Sequence, residues 1–209
     1  MFMFRAQDYG LLLVMSTLFL VFGPPVSLVY LRPLDLSPLT QYYVLVAFWS
    51  LVSSLVLGAP SYPVSFNSRI VVSALIGLMV SLVLHFLFLE FLLHSIPWFN
   101  VGYFIPLGST LDLLILLVSA TVMGVCLEIS LRGHLFTALK ARFGIIVATI
   151  VNCLVSAVIL APLGPGVALY NMLLPLISIT LLQLTKNMGA PILFHTTYRI
   201  LIDILASLI

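Results

Sequence analysis

The chain has 209 residues, 63% of them hydrophobic and 7% charged, with a formal net charge of +2 and a mean hydropathy of +1.29. Soluble domains carry about 25% charged residues, so this composition excludes a soluble globular protein and indicates a membrane protein. The few cations form no basic cluster or aromatic-interleaved patch, which leaves no surface for nucleic acid; bilayer lipid is the first expected partner.

A helix that crosses the roughly 30 Å hydrocarbon layer needs about 20 apolar residues. In chain order, seven runs are candidates: Tyr9 to Leu31, Tyr42 to Leu57, Ile70 to Leu93, Leu111 to Leu131, Phe143 to Ala161, Val167 to Leu184 and Met188 to Leu208. Gly23-Pro24-Pro25 is expected to break or kink the first. That first run continues past the length of a signal-peptide core and has Asp8 beside Arg5, so it is expected to be a retained anchor. The runs are continuous rather than alternating, which excludes a β-barrel and predicts an all-α, polytopic transmembrane helical bundle, a single integral membrane domain over residues 1–209. Arg5, Arg69, Lys140, Arg142 and Lys186 fall on the side of the N-terminus and Arg32 alone on the other, so the positive-inside rule puts the N-terminus in the cytoplasm. Short loops and bare termini suggest a prokaryotic plasma membrane.

A charge at the bilayer centre costs about 3 kcal/mol on insertion scales, so ionisable residues within these runs must pair or line a cavity. The fourth run ends with Glu128 and Arg132, four apart and on one helix face. Alone, they read either as a self-neutralising pair with Arg132 snorkelling to the interface or as part of a site. The last run carries His195, Arg199 and Asp203 at intervals of four, a polar stripe expected to face the bundle interior as an ion pair or a polar cavity. His85, Glu90 and His94 read as a solvated rim, and Asp112 as a carboxylate favoured by the start of a helix. Cys126 and Cys153 lie within runs, without metal-type spacing, and read as small buried residues. Glu128 and His195 are donor types that zinc uses to activate a water, but two ligands are too few for a site.

The order of these features resembles the CAAX protease and bacteriocin-processing (CPBP) family of intramembrane metalloproteases. "LEISLRGHLF" is similar to its first motif, Glu-Glu-x-x-x-Arg followed by Gly, with Glu128 as the second Glu, Arg132 as the Arg and Gly133 as the Gly. "TKNMGAPILFHTTYR" is similar to its last, in which Ala-Pro leads into a His, here His195. The resemblance spans roughly Leu111 to Asp203 and implies the CPBP fold, with Glu128, Arg132 and His195 as catalytic residues and, in an active protein, Glu128 and His195 on zinc. The chain departs from the family at Leu127 (the first Glu), at Ser156 and Leu160 (the Phe and His of Phe-x-x-x-His) and at Arg199 (an Asn).

Leucine neither binds metal nor transfers a proton, and a cation at position 199 repels a zinc ion beside His195. The expected function is therefore a catalytically degraded CPBP-type protein acting as a binding or scaffold subunit, which holds a transmembrane or peptide partner in the old substrate cavity. Arg199 then replaces the lost metal, with Glu128 accepting from Arg132 and Arg199 and with Asp203 neutralising the remaining guanidinium. The alternative is an active CPBP-type metalloprotease cutting peptides near the membrane surface, with His134, His85 or Glu90 as substitute ligands. A transporter, in which the polar stripe lines a path, lacks the inverted repeats or paired broken helices expected of one.

Overall fold

The computed structural model describes residues 6–30, 37–95 and 110–208, and these contain helices and connections but no strand. The helices are α1 (Ala6–Tyr30), α2 (Pro38–Leu57), α3 (Ser68–Ser95), α4 (Thr110–Leu127), α5 (Thr137–Leu160), α6 (Pro165–Thr185) and α7 (Gly189–Leu208). A π-helical segment, Glu128–Phe136, joins α4 to α5, and a 3-10 turn, Ala161–Leu163, precedes α6. Phe22, Val29, Leu55, Met79, Val118 and Ile146 are exposed over large parts of their surfaces, as a helical bundle solvated by lipid requires. The protein is an integral membrane protein.

Among the described residues, five helical stretches are long and apolar enough to cross a membrane. One of them, Thr110–Leu163, is 54 residues, about 80 Å at 1.5 Å per residue and far more than one crossing. It is divided at Gly144, whose φ of 83° and ψ of 172° are not helical, so it contains the fourth and fifth expected runs. The last expected run, α7, is absent from the five because it carries polar residues. It does not need to be apolar, since it packs against α3, α4 and α6 and all of Gly189–Arg199 except Leu193, Thr196 and Thr197 is buried.

Two expectations are corrected. α1 stays helical through Pro24 and Pro25, so they do not break it, and the adjoining Gly23 has a packing role, since a Cβ there would stand 2.5 Å from Trp49 Cδ2. The Trp49 ring lies against α1 with its indole N–H donating to Ser27 Oγ at 2.9 Å. His85 is no solvated rim residue: it is buried, with Tyr198 Oη 2.8 Å from its Nδ1 and the Tyr170 ring packed edge-on at 4.8 Å. The side chains of Glu90, His94 and Asp203 lie outside the described residues.

The 58–67 connection folds over one end of the bundle. Gly58 offers its carbonyl to His134 Nε2 at 3.2 Å, Met188 N–H donates to the Pro63 carbonyl at 2.8 Å, and Asn187 accepts from Ser65 N–H at 3.2 Å. Lys140 and Lys186 reach the same Gln183 Oε1, at 2.6 and 3.4 Å. At the other end, the buried Asp112 carboxylate in the first turn of α4 accepts from Ser37 N–H, the cap of α2, at 3.4 Å, so α2 and α4 start together and run parallel.

Candidate functional site

The polar centre forms where α4 meets α7, and a glycine sets how close they come. A Cβ on Gly124 would stand 2.6 Å from Thr196 Oγ1 and 3.0 Å from Thr196 Cα; its absence lets the helices touch backbone to side chain, as small residues do between membrane helices. Glu128 lies four residues further on and His195 is the neighbour of Thr196, so this contact brings the carboxylate and the imidazole together. Downstream the helix loosens to the π form, a conformation enriched at functional positions. Every residue of Glu128–Phe136 except Ile129 is buried. Gly133 allows Pro60 of the 58–67 connection against this segment, where a Cβ would lie 2.8 Å from Pro60 Cβ.

The Glu128 carboxylate is fully buried. Its Oε1 accepts from His195 Nδ1 at 2.6 Å and from Ser178 Oγ at 3.1 Å, while Oε2 lies 3.5 Å from Arg132 Nε. Burial at this depth is tolerable because the charge is paired and hydrogen-bonded. One turn along α7, Arg199 is 1% exposed, donates to Tyr43 Oη at 3.2 Å and to Asn171 Oδ1, and stacks over the Tyr43 ring. His195 and Arg199 are therefore both turned inward, but the expected Glu128–Arg199 pairing is corrected: the partners of Glu128 are His195, Ser178 and Arg132, while Arg199 reaches Tyr43 and Asn171. Ser178 and Asn171 of α6 and Tyr43 of α2 were not found from sequence. The signal for the first two was available: Asn171 and Ser178 are seven apart on an apolar helix and so face the same way.

Between these helices is a cavity of about 10 Å³, lined by Leu127, Leu160, Ser156, Arg132, His195, Arg199 and their apolar neighbours. All four positions at which the motifs depart from the CPBP pattern line it, so the alignment of α5 that put Ser156 and Leu160 at the Phe and His positions is geometrically consistent. The space is about that of one water molecule. Arg132 Nη1, Ser156 Oγ and His195 Nε2 are buried here without a protein hydrogen-bond partner.

The donor set does not fit zinc. A catalytic zinc takes three protein ligands and keeps one open position. Glu128 and His195 are bonded to each other instead, two guanidiniums adjoin them, and no group of three or more His, Cys, Asp or Glu side chains occurs among the described residues. Of the expected substitute ligands, His134 and His85 are engaged elsewhere: His134 Nδ1 meets Tyr9 Oη at 2.8 Å and its Nε2 the Gly58 carbonyl, while His85 meets Tyr198. Cys126 and Cys153 are free and buried, as expected.

An all-helical integral membrane bundle with a buried Glu-Arg-His centre where its fourth, fifth and last runs converge defines a class of intramembrane protein. The class is named by comparison: residues 109–201 match the family model described as "Type II CAAX prenyl endopeptidase Rce1-like". Over these residues, fewer than half of the chain, it is similar to the Rce1-like family, within the CPBP group that Glu128, Arg132 and His195 resembled. No curated protein and no solved structure matches the chain.

Proposed function

We propose that the protein is a catalytically silent member of the Rce1-like family that serves as a binding or scaffold subunit for a membrane or peptide partner. The observation that carries this reading is the cavity at the motif convergence: about 10 Å³, with Leu127 and Leu160 on its wall. A scissile peptide does not fit such a space, and leucine supplies neither a ligand nor a proton. The Glu128–His195 hydrogen bond and the Arg199–Asn171 contact join helices there and support a structural role for the polar residues. The size of the cavity also argues that the partner binds on the outer faces of the bundle and not in the old centre. The cytoplasmic N-terminus and a prokaryotic plasma membrane belong to the same proposal, supported by Lys140 and Lys186 meeting at Gln183 beside the end that carries Arg69.

The retained Glu128–His195 pair, 2.6 Å apart, is the one feature that favours the rival active metallopeptidase. Elemental analysis of detergent-purified protein beside Glu128→Gln and His195→Ala variants separates the two. Zinc well below one atom per chain in all three is expected; stoichiometric zinc in the wild type, lost in both variants, would overturn the proposal.

A further inference from the structure

A second concavity lies away from the polar centre. Between α1 and the chain from the π segment to Phe143 runs a groove of about 360 Å³. Its floor and walls include Gly10, Leu13, Thr17, Leu139 and Phe143, and Arg142 is part of the lining. The stretch from Gly10 to Leu18 measures roughly 12 Å at 1.5 Å per residue. The Thr17 hydroxyl is engaged with the Leu13 carbonyl at 2.8 Å, which leaves the Arg142 guanidinium as the polar group of the lining. Arg142 is exposed, rests on the Phe143 ring at 5.4 Å and has no carboxylate partner among the described residues.

We propose that this groove is a binding site for one phospholipid with an anionic headgroup, its phosphate on Arg142 and an acyl chain along α1. An apolar trough with one cation in its lining matches an amphiphile with an anionic head. Arg142 lies two residues before the non-helical Gly144 and two after Lys140, which meets Lys186 at Gln183, so the proposal places its guanidinium among headgroups at that end of the bundle. A juxtamembrane cation attracts anionic lipid there, since each contributes near the membrane surface. The site is independent of whether the polar centre is catalytic.

The test is native mass spectrometry of the full chain released from detergent, titrated with phosphatidylglycerol or with phosphatidylcholine of the same acyl chains. The wild type is expected to retain one phosphatidylglycerol about fivefold more strongly than phosphatidylcholine, the factor for a single basic residue at an anionic surface. Arg142→Gln brings that ratio near one, and Arg142→Lys restores most of it. Gly10→Leu, whose Cβ meets nothing within 4 Å and therefore projects into open space, lowers retention of both lipids. Equal retention of the two lipids by the wild type, an unchanged ratio in Arg142→Gln, or a stoichiometric protein partner in place of lipid would overturn the proposal. All variants change exposed positions, and unchanged melting temperatures verify that they fold.

Discussion

Replacing Glu128 by Gln keeps the shape of the side chain and removes its charge, leaving Arg132, which is 1% exposed, without a counter-ion. At the 3.5 Å separation of Arg132 Nε and Glu128 Oε2, the Coulomb attraction is about 5 kcal/mol at an effective dielectric of about 20. Breaking one partner of a buried pair costs about 3–5 kcal/mol, which agrees. The folding equilibrium in mixed micelles, followed by Trp fluorescence during denaturation with dodecyl sulfate, should shift by a factor of about 10² to 10⁴. Adding Arg132→Met removes the stranded cation and fills its volume, so the double variant should recover most of the loss. If Glu128→Gln costs under about 1 kcal/mol, or if the two substitutions simply add, the carboxylate does not hold the centre together and the structural account of Glu128 fails.

Gly124→Val should destabilise by about 1–3 kcal/mol through overpacking against Thr196; thermal unfolding measures this, and an unchanged melting temperature would mean that α4 and α7 do not touch there. Gly144→Ala should cost about 1–3 kcal/mol, because φ 83° with ψ 172° is accessible essentially to glycine alone. The same unfolding assay checks it, and a neutral result would remove the break that divides the long apolar stretch.

Much of the architecture was legible because hydropathy reports contact with lipid. Lipid-facing helices such as α1 and α3 must be apolar, and their runs were clear. α7 was legible for another reason: His195 and Arg199 on one face of a helix in a membrane chain must turn inward, and they do. The alignment of α5 that brought Ser156 and Leu160 beside His195 depended on motif order and not on any property of leucine. Other features left no local trace. The π form of Glu128–Phe136 has no residue pattern of its own, since it reflects how the surrounding helices and Pro60 take up the extra residue. His85 was misread because distance from the centre of a run suggested solvent, whereas Tyr170 and Tyr198, distant in sequence, enclose it. Tyr43 is similarly invisible, as tyrosines in membrane chains are common at interfaces and nothing local sends this one to Arg199.

α7 follows in the chain all the helices it packs against. α7 touches α3, α4 and α6, and the Pro63–Met188 bond at its start joins segments far apart in sequence. Translation delivers the chain from the N-terminus, so the slot for α7 exists before its occupant does. The polar face of α7 is unfavourable in lipid until Glu128 and Asn171 receive it, which makes the earlier helices a template for the entry of α7.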